Sequence, residues 1–471
     1  MNNTNIITLT DSYKFTHHRQ YPTDTEYVYS YFESRGGAKF YNTVFFGLQY
    51  IIKKYLCGQV VTAEKIEAAK KLSAAHFMNP DIFNESMWRH IVEKHDGYLP
   101  VRIRAVPEGT PVGVSNVLLT IENTDPLCYP LTNHLETLLT HVWYSSTVAS
   151  LSRHVKDVMQ KYLLQTSDNP DAVNFQLHDF GMRGTSSMES AGIGGAGHLV
   201  NFLGTDTVNA METVIRYYAA DPSSVGFSVP ATEHSVMTAE GPEGELSVIK
   251  RVLDAYPVGI VSIVSDSYDI ERFVKQYIGK DLKEQILARN HETVPCKIVV
   301  RPDSLRFEND TPEAQMVWIA KELWTAFGGT INSKGYKVLD PHIGLIWGDG
   351  IDHRGIERVL DALATAGFST ENAVFGMGGG LLQKINRDTQ RFAFKCSAQC
   401  RRGVWHDVFK DPLDASKASK RGRLKLVKRG AEFLTVPESD AGLTDVLETV
   451  FENGHLIREY TFDQVRANAI I

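Results

Sequence analysis

The chain has 471 residues, a formal net charge of -7, and 43% hydrophobic against 22% charged residues. That length exceeds one ordinary core and points to two or three domains. The acidic balance argues against a dedicated nucleic-acid binder, which concentrates positive charge on one face. Apolar runs such as residues 258–264 are far too short to span a bilayer, and the first five residues lack a signal-peptide pattern, so a cytoplasmic protein without membrane partners is expected.

In chain order, Ile6, Ile7 and Leu9 lead into the polar turn Thr10-Asp11-Ser12-Tyr13-Lys14, then a β-rich piece at residues 27–32 and Arg35 in a Gly-containing turn. Thr62 caps a predicted helix with Ile66, Ala69 and Leu72 on one face. Val101, Ile103 and Ala105 alternate as in a strand, and Leu151, Val155, Val158 and Tyr162 keep helical spacing. From Phe175 the texture changes. Short apolar strands, the first read over Phe175 and Leu177, end repeatedly in acidic or Gly-rich turns. Helices are predicted between them at 245–256, 312–327 and 355–366.

Alternating strand and helix predicts a parallel sheet, and seven polar tips at one end predict an irregular, TIM-like α/β barrel; an open doubly wound sheet is the second choice. After Leu381 the chain is β-rich again. The expected architecture is therefore a barrel domain over 166–384 and a discontinuous α+β domain from 1–165 and 385–471. Residues 415–423 read as a charged linker, and Lys417, Lys420, Arg421, Arg423 and Lys425 as a solvated basic cluster. Five cysteines suit reduced thiols; Cys396 and Cys400 have the spacing of half a zinc site, but their strand-like flanks favour core thiols.

The tips carry the chemistry. Phe180 offers a flat ring a stacking face, Arg183 offers an anion a fork of donors, and Asp206 is placed to accept from an amide. The structural alternative makes Phe180 a barrel plug and Arg183 and Asp206 helix caps. Gly376-Met377-Gly378-Gly379-Gly380 after a late strand suits a phosphate cradle, as Gly-rich tips often do in this fold. Arg183, Arg301 and Arg387 add cationic forks. Asp266, Asp303 and Asp349 suit sugar hydroxyls or hydrated Mg²⁺, so the set implies a phosphorylated sugar with a magnesium-bound pyrophosphate.

Eight blocks in order, Thr10-Asp11-Ser12-Tyr13-Lys14, His178-Asp179-Phe180-Gly181-Met182-Arg183-Gly184, Gly204-Thr205-Asp206-Thr207, Ser228-Val229-Pro230 with Glu233-His234-Ser235, Val264-Ser265-Asp266-Ser267-Tyr268-Asp269, Arg301-Pro302-Asp303-Ser304, Gly348-Asp349-Gly350 and Gly378-Gly379-Gly380-Leu381-Leu382-Gln383-Lys384, resemble the nicotinamide phosphoribosyltransferase family. The resemblance implies a homodimer that joins nicotinamide to phosphoribosyl pyrophosphate in NAD salvage, with Mg²⁺ bound through substrate phosphates and ATP as an optional co-substrate. It places the nicotinamide ring between Phe180 and Tyr13 of the partner subunit, near Asp206, Arg301 and Ser265. It assigns Arg183, Arg301, Asp303, Asp349, Gly350, Gly378, Gly379, Arg387 and Lys395 to the phosphoribosyl and phosphate site. Asp11, Tyr13, Arg387 and Lys395 are implied to reach across the dimer, and Arg35 and Lys410 to stand near ATP phosphates. His234 is implied to be phosphorylated by ATP and, with Asp266 and Asp303, to form the catalytic group. Leu305 departs from the family pattern, which has Gly after Arg-Pro-Asp-Ser. Nicotinate phosphoribosyltransferase is the rival enzyme, and a non-enzymatic interaction protein on the same scaffold the rival class.

Overall fold

The computed structural model describes residues 4–410 and 419–470, so Lys417 and much of the expected linker lie outside the described residues. The chain divides into two compact units, Met1–Ser150 with Thr213–Ala220 and Asn386–Ile471, and Leu151–Glu212 with Asp221–Ile385.

The second unit is built on six parallel strands: β1 (Leu177–Asp179), β2 (Gly204–Thr205), β3 (Ile260–Val264), β4 (Lys297–Arg301), β5 (Ile343–Trp347) and β6 (Ala373–Met377). Their order in the sheet is β2-β1-β6-β5-β4-β3. The runs IVSIV, KIVVR and IGLIW are β-branched and almost wholly buried, as strands covered on both faces must be. The segment after Val225 links the two sheet edges. Phe227 bridges to Gly204 at one edge and Ala231 to Ser262 at the other. The bonds are Thr205 N–H to Phe227 O at 3.0 Å and Ser262 N–H to Pro230 O at 2.9 Å. The sheet thus curls into an irregular α/β barrel. The tip Ser228-Val229-Pro230 does not follow a regular strand as expected: the segment before it pairs through the single bridge at Phe227. Phe175 also differs from expectation: it ends the 3₁₀ turn Pro170–Phe175, and the strand begins only at Leu177.

Helix Pro312–Phe327 matches its predicted range, with the Thr311 side chain accepting from Ala314 N–H. Helix Gly241–Ala255 starts four residues earlier than predicted, with Pro242 in its first turn, where a missing N–H costs nothing. Helix His353–Thr365 is capped by Asp352.

The first unit is a seven-stranded antiparallel sheet ordered Val404–Asp407, Phe392–Arg401, Thr25–Ser34, Val117–Asn123, Val101–Ala105, Glu448–Glu452 and His455–Leu456. N- and C-terminal segments alternate within it, with Tyr31 opposite Lys395 and Ile103 opposite Phe451, so this α+β unit is discontinuous in sequence. Its core holds Glu108, fully buried, whose carboxylate accepts from Gly47 N–H at 2.8 Å, Gln49 N–H at 2.5 Å and the Tyr218 hydroxyl at 2.8 Å. Burial raises its pKa despite these donors, which supply the partners a buried carboxylate needs. Thr62 caps helix Ala63–Phe77 as predicted and Ile66 and Ala69 are buried, but Leu72 is 57% exposed. Cys396 and Cys400 lie in the strand Phe392–Arg401 as free thiols.

Candidate active site

Phe180 follows β1 directly, its N–H bonded to Met377 O at 3.1 Å on the neighbouring β6. Its ring lies over two glycines. A Cβ on Gly376 would stand 2.0 Å from Phe180 Cε2, and one on Gly348 3.1 Å from the same atom. Both glycines are at strand tips, so the ring's seat is made by missing side chains rather than by a pocket of large ones. Gly184, in the turn that carries Arg183, lies 3.8 Å from Gly379, measured from the position of its absent Cβ. Gly378 and Gly380 have close backbone neighbours, whereas Gly379 faces open space, leaving its backbone accessible beside the exposed Arg183.

Around Arg301, the last residue of β4, stand four carboxylates. Burial pulls the guanidinium below its ordinary pKa, against the opposing effect of Asp303, Asp206, Asp266 and Glu233. Arg301 also donates to the Thr232 carbonyl. Asp206 is exposed at the tip of β2 and accepts from the Ser228 hydroxyl at 2.6 Å. His234 opens the short helix His234–Met237, with Nε2 3.3 Å from Asp266 Oδ1 and Nδ1 3.9 Å from Asp303 Oδ2. The Ser304 hydroxyl donates to the other oxygen of Asp266 at 2.5 Å. Asp349 has its pKa raised, first by burial and then by Asp303 and Asp266. Asp266, Asp303 and Asp349 together offer a hard-oxygen donor set, and this chemistry fits Mg²⁺. Gly350 supports the turn at φ +58°.

A cavity of about 580 Å³ runs from the starts of the strands to these tips. Alternate residues line it: Ile260 and Ser262 on β3, Lys297, Val299 and Arg301 on β4, Gln176 and His178 leading into Phe180. Ser262, Lys297 and His178 were missed by the sequence reading because period-2 alternation shows inward residues only once a closed barrel is known. Asp179 was also passed over. Fully buried, it accepts from Gly181 N–H at 2.7 Å, and burial raises its pKa to about 6. Ser265 is fully buried too, and its hydroxyl has no hydrogen-bond partner among the described residues, whereas Ser262 lines the cavity.

The remaining predicted site residues belong to the first unit. Tyr13 is 54% exposed in the 3₁₀ segment Ser12–Arg19, its ring against His17. Asp11, at the N-cap, accepts from the Thr137 hydroxyl at 2.7 Å. Arg35, Lys395, Lys410 and Lys420 form a cationic cluster around Glu33: burial and the three other cations lower the pKa of Lys395, and Glu33 opposes the shift. Arg387 is exposed, 3.9 Å from Asp388.

The sequence pattern of the nicotinate phosphoribosyltransferase family matches residues 175–455, and that of the nicotinamide phosphoribosyltransferase N-terminal domain matches residues 5–103. A nicotinamide phosphoribosyltransferase of Xanthomonas campestris pv. campestris is 45% identical over 99% of this chain and 98% of its own. One of Acinetobacter baylyi is 38% identical over 98% and 96%. In fold, the chain is similar to a nicotinate-nucleotide pyrophosphorylase from Pyrococcus furiosus, with a TM-score of 0.61 at 15% identity, covering 100% of this chain and 96% of that one. Human nicotinic acid phosphoribosyltransferase gives a TM-score of 0.56 at 13% identity, covering 98% and 93%. By these matches, and with glycine-seated Phe180 and the Arg301 carboxylate cluster at its barrel mouth, the chain belongs to the nicotinate phosphoribosyltransferase family, as a relative of its nicotinamide phosphoribosyltransferases.

Proposed function

We propose that the chain transfers the phosphoribosyl group of phosphoribosyl pyrophosphate to nicotinamide, giving nicotinamide mononucleotide and pyrophosphate in NAD salvage. The observation that carries this reading is the exposed carboxylate of Asp206 at the cavity mouth beside Phe180. A carboxylate accepts a carboxamide N–H and repels the carboxylate of nicotinate, so it selects the amide by charge. The names of the Xanthomonas and Acinetobacter relatives agree with that choice.

In the reaction the pyridine nitrogen lone pair forms the new bond to the ribose C1, and the C1–oxygen bond breaks with its electron pair going to pyrophosphate. The nitrogen already carries its lone pair, so no base is needed. The protein's work is positioning and charge stabilisation. Phe180 holds the ring and Asp206 fixes its rotation. Arg301 stands where negative charge gathers, and Arg183 beside the Gly379 backbone suits the 5′-phosphate. Mg²⁺ at Asp266, Asp303 and Asp349 would neutralise the pyrophosphate oxygens. His234, flanked by Asp266 and Asp303, is oriented for phosphorylation by ATP: the imidazole nitrogen attacks the γ-phosphorus and ADP leaves. The Arg35, Lys395 and Lys410 cluster is proposed for the phosphates. Tyr13 and Asp11 are proposed to act on the neighbouring protomer of a homodimer.

The test follows mononucleotide and pyrophosphate formation with nicotinamide or nicotinate, with and without ATP. Product from nicotinamide, stimulated by ATP in the wild type but not in His234→Ala, is expected. Product from nicotinate alone overturns the Asp206 reading, and no product from either overturns the enzyme. Mixed Tyr13→Ala and Arg183→Ala protomers should regain activity if sites are shared.

A further inference from the structure

Two pairs of side chains in the first unit meet at a point that the reaction above does not use. Helix Glu85–His95 carries His90 and, on its last residue, His95. The 3₁₀ turn Pro126–Cys128 is capped by Asp125, whose Oδ1 accepts from Leu127 N–H at 2.8 Å. The other oxygen, Oδ2, lies 2.8 Å from His90 Nε2 and 2.7 Å from His95 Nε2. The two rings sit edge to face, with centroids 5.7 Å apart. Cys128 completes the group with a fully buried thiol. One donor atom from each of the four residues lies within 4.8 Å of the other three.

Hydrogen bonding alone accounts for the two histidines and the carboxylate, but a buried thiol adds nothing to that network. Two imidazole nitrogens, one carboxylate oxygen and one sulfur are, however, the ligand types that zinc takes in closed four-coordinate sites. With bonds of roughly 2.0–2.3 Å, the donors of a tetrahedral zinc stand about 3.3–3.8 Å apart. The widest separation here must shrink by roughly 1 Å and the His–Asp contacts open by about half that, which side-chain rotation supplies. Charge also balances, since one carboxylate and one thiolate neutralise a divalent cation. His90 and His95 are 20% and 27% exposed, which leaves a way in. We propose that His90, His95, Asp125 and Cys128 form a structural site for a zinc-class divalent cation that ties helix Glu85–His95 to the turn Pro126–Cys128. On binding, the Cys128 thiol loses its proton to solvent while both imidazoles bind neutral through Nε2.

The test uses the untagged full-length protein, stripped with chelator and then titrated with Zn²⁺ alone or Co²⁺ alone. One tightly held zinc per chain is expected, with release of about one proton per metal below the thiol's pKa. Cobalt should give the intense visible bands of tetrahedral coordination and a sulfur-to-cobalt charge-transfer band. Cys128→Ser should abolish that band, and Cys396→Ser should leave it intact. His90→Gln, at a part-exposed position, should weaken zinc binding at least tenfold; unchanged circular dichroism verifies that each variant is folded. Substoichiometric zinc on the wild type, a charge-transfer band that survives Cys128→Ser, or unchanged affinity in His90→Gln overturns the site. These readouts stand whether or not the proposed transferase reaction does.

Discussion

Gly376→Ala tests the seating of Phe180 more sharply than removal of the ring itself. The added Cβ would stand 2.0, 2.1 and 2.8 Å from Cε2, Cδ2 and Cζ of Phe180. Carbon atoms rest about 3.5–4.0 Å apart, so the ring must retreat by about 1.5–2 Å. Gly376 is buried and paired with His178 of β1, so its strand is held and the ring has to move. Its φ lies outside the left-handed region, so alanine brings no backbone strain to confuse the result. Stacking is worth about 0.5–1.5 kcal/mol, and a misplacement of about 1 Å at a reacting centre costs on the order of 10²-fold in rate. We expect kcat/KM for nicotinamide to fall about 10²-fold while KM for phosphoribosyl pyrophosphate holds. Gly348→Ala, whose Cβ would be 3.1 Å from the ring, needs about half an ångström of movement and should cost only a few-fold. In a double-mutant cycle, Gly376→Ala should do nothing further in a Phe180→Ala background. Steady-state kinetics with nicotinamide varied at saturating cosubstrate reads all four proteins. Additive losses in the double mutant, or a Gly348 effect as large as that of Gly376, would refute the argument.

Asp206→Asn should narrow the preference for nicotinamide over nicotinate by at least tenfold, read as the ratio of kcat/KM values; an unchanged ratio removes Asp206 from the selection. Asp179 has a folded pKa raised from 3.8 to about 6, chiefly by burial. The native state therefore holds this proton more tightly than the unfolded chain, and the group's contribution to stability declines as pH rises from about 4 to about 6. Asp179→Asn keeps an acceptor for Gly181 N–H but cannot ionise, so its stability relative to wild type should improve by about 2–3 kcal/mol between pH 4 and 7. Unfolding midpoints across that range check this, and a pH-independent difference would contradict it. Arg301→Lys keeps the charge but loses the fork that bonds Thr232 O; kcat/KM should drop roughly 10- to 100-fold without a change in unfolding temperature of more than a few degrees. Thr62→Ala should cost about 1 kcal/mol in thermal stability by freeing Lys65 N–H, and leave turnover unaltered.

The parts of this protein legible in the sequence are those whose information is local. Strand-then-turn alternation after Phe175 announced a parallel barrel, because buried strands are short β-branched runs and their ends need polar or Gly-rich turns. Ordered blocks around Phe180, Asp206, His234, Asp266, Arg301 and Asp349 announced the family, since chemistry at a barrel mouth is written in strand tips. Thr62 and the helix Pro312–Phe327 were legible for the same reason: caps and helical periods act over a few residues.

Tertiary structure decided what depends on which distant segments meet. The join between the sheet edges through Phe227 and Ala231 rests on isolated bridges beside a proline, and no period-2 pattern marks it. The reason for glycine at 376 and 348 is the ring of Phe180, far away in sequence, and a missing side chain carries no record of what replaces it. His90 and His95 stand on a helix, and Asp125 and Cys128 on a turn beyond three further strands, so neither pair by itself shows that the other completes it. Proximity between such segments is created by sheet register and packing, which a linear reading of residue types does not contain.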